Sequence, residues 1–98
     1  MPVSYFNREI PRAPGLTHFI LYSRSYCHLC DDMLEALQAM PQASGLRVDV
    51  IDVDADEALL HAYDERVPVL VGIGPDGARR ELCHYFLDPS AVTDFLVG

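Results

Sequence analysis

The sequence predicts an α/β fold in which a four-stranded mixed sheet carries three helices in the order β-α-β-α-β-β-α. Three observations support it. Short runs rich in β-branched and aromatic residues alternate with amphipathic stretches of helical period. A helical stretch separates the first two runs, so they pair in parallel through a crossover, whereas Gly74-Pro75-Asp76-Gly77 joins the last two as a hairpin. A chain of 98 residues, 50% of them apolar, forms one domain that buries a core without disulfide staples.

Residues 1–15 carry Pro2, Pro11, Pro14 and Gly15 with no sustained period and read as an irregular surface extension, leaving 16–98 as the folded domain. Thr17 to Tyr22 is short and rich in aromatic and β-branched residues, as a central strand is. Leu29, Met33, Leu34, Leu37 and Met40 then recur at steps of three and four, with Asp31, Asp32, Glu35 and Gln38 between them. This is an amphipathic helix, stopped by Pro41, and its early acids suit the positive end of the helix dipole. Leu46 to Val53, with Val50 and Ile51 side by side, reads as a strand covered on both faces. Asp54 and Glu57 form a capping box that opens a short helix through Leu59, Leu60 and Tyr63, ending near Asp64-Glu65-Arg66. Val67 to Ile73 is the most β-like run of the chain, and the hairpin returns through Ala78 to Phe86. Asp88-Pro89 caps a last helix with Val92, Phe95 and Leu96 on its apolar side.

Fifteen acidic residues against seven basic ones give a net charge of −8, which repels phosphate backbones and argues against a nucleic-acid partner. No apolar run has the length of a membrane helix, and Met1-Pro2-Val3-Ser4-Tyr5 lacks the basic-then-apolar pattern of a signal peptide. The expectation is a soluble, cytoplasmic monomer. Three cysteines, an odd number, suit a reactive pair plus one bystander in a reducing compartment better than a secreted framework. Cys83, in the last strand-like run, is the bystander, read as a small buried hydrophobe.

The pair is Cys27 and Cys30, set between the first strand and the first helix. The first N–H groups of a helix have no intrahelical partner, so there they point at the Cys27 sulfur and favour its thiolate. Cys30, one turn further on, is placed to resolve a mixed disulfide formed at Cys27. His28 either adds a cation beside that thiolate or projects into solvent, and the sequence leaves both open. Asp31 and Asp32 oppose the thiolate by their charge. A calcium loop starting at Asp52 fails, because its sixth position is Glu57 and its twelfth Tyr63. A zinc site would need Cys83 and His84 together, and strand neighbours point to opposite faces. No metal site and no resident cofactor are expected.

The strand, Cys-x-x-Cys, helix order of Leu21 to Asp31, together with Arg66-Val67-Pro68-Val69-Leu70, resembles the short glutaredoxin-like proteins of the thioredoxin superfamily over about four fifths of the chain. The resemblance implies the thioredoxin fold and a thiol-disulfide oxidoreductase that reduces substrate disulfides with Cys27 and Cys30. It also implies that Pro68 is a cis proline, that the backbone of Val67 pairs with the substrate, and that Arg24, Tyr26 and Pro68 belong with Val67 to the substrate-binding site beside Cys27. The plain alternative for Pro68 is a trans proline opening an edge strand. Arg24 stands where the family usually carries Lys, and by resemblance it holds a carboxylate of glutathione as co-substrate. The family's Gly-Gly is absent, and Cys83 to Ser90 puts bulky side chains in its place, with Asp88 as the available acid. The expected partners are a disulfide-containing protein or a small thiol. The rival reading is a non-catalytic binding module or a metal- or cluster-binding protein on the same fold.

Overall fold

A computed structural model describes residues 17–43 and 45–97, so the extension expected over 1–15 lies outside the described residues. The elements are β1 (His18–Ser23), α1 (His28–Ala39), β2 (Val48–Asp52), a 3₁₀ turn (Val53–Ala55), α2 (Glu57–Tyr63), β3 (Val69–Ile73), β4 (Arg79–His84) and α3 (Pro89–Val97). Their order is the expected one. The sheet runs β2-β1-β3-β4, with β1 and β2 parallel and both β1–β3 and β3–β4 antiparallel. Among the described residues no helix is long and apolar enough to cross a membrane.

Alternation along the strands builds a core on each face of the sheet. Phe19, Leu21 and Leu70 point to one side, where Met33 and Leu37 of α1 and Val92 of α3 close the main cluster. Tyr22, Val69 and Val71 point to the other, packed with Val53 and with Leu59, Leu60 and Tyr63 of α2. There the Tyr22 and Tyr63 rings stack at 4.4 Å, and Arg79 donates to the Tyr22 hydroxyl at 2.9 Å. Buried Cys30, Met33 and Leu37 mark the core stripe of α1. The helix ends where Met40, held extended by the following Pro41, leaves helical geometry at φ −75°, ψ 123°.

Two sequence expectations are corrected. The edge strand β2 is covered only in part, with Val48 packed against the main cluster and Ile51 against the second while Val50 is 52% exposed. The cap of α2 is Asp56, whose carboxylate accepts from the Ala58 and Leu59 amides at 2.8 and 3.3 Å. Asp54 sits in the preceding 3₁₀ turn, which Asp52 caps by accepting the Asp54 amide at 2.9 Å. The run of aspartates therefore serves two successive turns, each with its own acid. The expected hairpin is present, with Gly77 at φ +85°, a conformation that suits glycine.

Gly72, in the middle of β3, is a contact position. A Cβ there would meet three atoms of the Phe95 ring at 2.6 to 2.9 Å, so α3 lies against bare backbone. Gly72→Ala is expected to destabilise the fold by about 1–3 kcal/mol through overpacking. A urea midpoint measured by circular dichroism checks this, and an unchanged midpoint would contradict the packing described.

Candidate active site

Strand register brings the loops that carry the candidate residues to one end of the sheet. Ser23, the last residue of β1, pairs with Asp52, the last of β2. Tyr22 pairs with Val69 at the start of β3, and Val69 pairs with His84 at the end of β4. The segments that continue from these residues, Arg24 to Cys27, Val53 to Ala55, Val67-Pro68 and Tyr85-Phe86, therefore emerge together.

Cys27 is the N-cap of α1, with extended backbone at φ −106°, ψ 103°. Its sulfur accepts the Cys30 amide at 3.1 Å and is joined to the Cys30 sulfur in a disulfide. Cys27 is half-buried, whereas Cys30 is only 3% exposed and faces the core. The arrangement gives the outer sulfur a direct amide donor and the positive end of a helix, and gives the inner sulfur neither solvent nor a route to a bulky partner. An incoming sulfur has access to Cys27 first. His28 and Leu29, between the cysteines, are exposed in the first turn.

Tyr26 precedes the cap in a left-handed conformation, φ 59°, with its side chain fully in solvent. For a residue with a Cβ this backbone region is costly, so the turn into α1 holds local strain. The loop is held at its base by ion pairing. Arg24 donates from Nε and Nη2 to the Asp54 carboxylate at 3.2 and 3.0 Å, and Ser25 Oγ reaches Asp52 at 3.5 Å. The hydrogen bond and charge of Asp54, with smaller contributions from Asp64 and Asp52, hold the guanidinium more firmly protonated than a free arginine.

The Val67–Pro68 peptide bond is cis. The Val67 amide donates to the Tyr63 carbonyl at 3.1 Å, and among the described residues nothing donates to the Val67 carbonyl. The Pro68 carbonyl is taken by the Tyr85 amide at 2.9 Å. Tyr85, at φ 65°, also donates its hydroxyl to the Glu65 carbonyl, bridging the loop before the proline.

Residues 18–97 match the family model described as Glutaredoxin-like domain (DUF836). The chain belongs to this glutaredoxin-like family. Among solved structures it is similar to protein Ne2328 from Nitrosomonas europaea, at 33% identity over 90% of this chain and 98% of that one, with a TM-score of 0.68. It is also similar to protein XcR50 from X. campestris, at 34% identity over 81% and 95% of the two chains, with a TM-score of 0.56. Trxlp from Edwardsiella tarda matches at 25% identity over 84% of this chain and 82% of that one, with a TM-score of 0.55. A thioredoxin from Malassezia sympodialis, at 16% identity and a TM-score of 0.53, shows the shared thioredoxin fold. No curated protein matches the chain.

Set in the glutaredoxin-like fold, the residues expected to hold glutathione are otherwise engaged. Arg24 has Asp54 for its carboxylate. Asp88 accepts the Ser90 and Ala91 amides at 3.1 and 3.2 Å and so caps α3. The register that sets Arg24 against Asp54 was the signal for their pairing, since each lies just past the end of one of two parallel strands. Tyr85 had no such signal, because its role depends on the turn after β4. Cys83 is half-buried against the main core, and burial pushes its thiol pKa up.

In the oxidised protein, iodoacetamide is therefore expected to modify Cys83 alone, several-fold more slowly than free cysteine at neutral pH, because the raised pKa leaves little thiolate until the pH rises. Peptide mass mapping reads this, and labelling at the free-thiol rate would contradict it. Tyr26→Gly should raise the unfolding free energy by about 0.5 kcal/mol, since release of the left-handed cost of roughly 1–2 kcal/mol exceeds the entropy glycine adds to the unfolded chain. A lower urea midpoint for this variant would show that the turn holds no such strain.

Proposed function

We propose that the protein is a thiol-disulfide oxidoreductase that works through the Cys27–Cys30 couple, with reduction of substrate disulfides as its working direction. The observation that carries the reading is the half-buried Cys27 sulfur at a helix N-terminus, accepting the Cys30 amide and bonded to a buried partner sulfur. A purely structural disulfide gains nothing from a helix start, whereas a leaving and attacking thiolate does. Membership of the glutaredoxin-like family supports the same reading.

The steps follow from thiol-disulfide exchange. In the dithiol form the Cys27 thiolate attacks one sulfur of a substrate disulfide, forming a mixed disulfide and releasing the other sulfur as a thiolate that takes up a proton. Cys30 loses its proton and attacks the Cys27 sulfur. The second substrate sulfur leaves as a thiol, and the protein ends in the disulfide form seen here, having given two electrons to the substrate. A dithiol, or two monothiols, must return those electrons. The Cys30 amide that donates to the Cys27 sulfur belongs to the first turn of α1, so on this reading it stabilises the thiolate both as attacking and as leaving group. Among the described residues nothing donates to the Val67 carbonyl, which on this reading receives an incoming peptide N–H.

Cys27→Ser should reduce a mixed disulfide only at the rate of the uncatalysed exchange. Cys30→Ser should still complete the first step and accumulate a mixed disulfide on Cys27, visible as an added mass lost on treatment with dithiothreitol. Wild-type rates in Cys27→Ser would remove the reading.

A further inference from the structure

The surroundings of the disulfide narrow the substrate. Arg24 is the cation nearest in sequence to Cys27, and both of its hydrogen bonds to Asp54 are formed. Asp52 and Asp64 add their negative field at the same guanidinium. Arg66, on the segment that leads to Pro68, is likewise bound, to Glu81. Asp31 and Asp32 follow Cys30 directly on exposed positions of α1. Among the described residues of the Arg24–Cys27 and Arg66–Pro68 segments, an arriving anion therefore meets carboxylates and finds both guanidinium groups already paired, in a chain whose net charge is −8. A lysine or arginine side chain meets the opposite field, which acts over about 8 Å at physiological salt.

A separate observation concerns shape. Tyr26 is fully exposed and Phe86 is 70% exposed, while Leu29 and Tyr85 are also open to solvent. Exposed aromatic side chains on segments that leave the same end of the sheet as Cys27 forgo burial in the free protein and provide apolar area to a chain laid across them. The Val67 carbonyl adds one backbone acceptor for an extended segment. Both features suit a polypeptide better than a small anionic thiol.

We propose that Asp54 is a specificity determinant: by holding Arg24 it closes the cysteine pair to anionic disulfides and directs it to polypeptide disulfides whose cysteine is flanked by apolar and basic side chains. This inference rests on the oxidoreductase reading and concerns only which disulfide Cys27 attacks. The exchange chemistry is unchanged.

The test uses three disulfide-linked peptide dimers that differ only beside the cysteine: Leu-Lys-Cys-Lys-Leu, Leu-Gln-Cys-Gln-Leu and Leu-Glu-Cys-Glu-Leu, each acetylated and amidated. The fully reduced protein is mixed with each, quenched with an alkylating agent and followed by mass, giving a second-order rate constant. Each constant is divided by the same peptide's rate with dithiothreitol, which removes intrinsic differences in disulfide reactivity. The lysine peptide should exceed the glutamate peptide by about tenfold at low ionic strength, the order of effect that charge steering gives. The advantage should shrink as salt is added to the wild type. Asp54→Asn should raise the glutamate peptide several-fold and narrow the ratio.

Equal normalised rates for the three peptides, a glutamate preference, or a ratio unmoved by Asp54→Asn, whatever salt does to it, would overturn the proposal while Cys27-dependent exchange stands. If all rates match those of Cys27→Ser, the oxidoreductase reading falls and the proposal with it.

Discussion

One hydrogen bond organises this molecule's chemistry: the Cys30 amide donating to the Cys27 sulfur at the first turn of α1. It exists because β1 ends at Ser23, a strained turn through Tyr26 redirects the chain, and Cys27 takes the N-cap position usually filled by Ser, Thr, Asp or Asn. A sulfur in that position satisfies an amide that would otherwise lack a partner. The same geometry places Cys30 on the buried stripe of α1, so one sulfur faces outward and its partner faces the core. The difference in exposure between the two sulfurs follows from helical periodicity.

The sheet supplies the frame on which that bond acts. Parallel pairing of β1 and β2 puts the acids of the β2 exit beside the loop that leads to Cys27, and the ion pair of Arg24 with Asp54 closes the two segments together. Antiparallel pairing of β1, β3 and β4 puts Pro68 and Tyr85 at the same end. The ion pair of Arg24 with Asp54 lies on the surface, where a single exposed pair contributes little to stability. Its effect is on position and charge, and the stability comes from the cores on the two faces of the sheet.

Much of this was legible in the sequence, and the reasons are local. The period of Met33 and Leu37, the stop at Pro41 and the turn Gly74 to Gly77 are set by residues within a few positions of one another, and they appear where the sequence placed them. Strand ends and helix caps were less legible. The aspartates from Asp52 to Asp56 offer several equivalent caps, and the choice of Asp56 depends on a 3₁₀ turn that no spacing specifies. The exposure of Val50 depends on strand order, which the apolar run alone does not encode. At the site, Cys27, Cys30 and Pro68 were visible as a pattern, and so was the capping of the last helix by Asp88, whereas the engagement of Arg24 by Asp54 arises between elements only once the chain is folded.

The proposed redox role needs the Cys27 sulfur, once the disulfide is reduced, to be stabilised as an anion by the start of α1, and thiolate absorbance of the fully reduced protein followed against pH is the measurement that decides it. The account requires one sulfur to ionise at distinctly lower pH than the others, in a step that disappears in Cys27→Ser and persists in Cys83→Ser. Ionisation of all three thiols together in the range of free cysteine, or an early step that survives in Cys27→Ser, would contradict it.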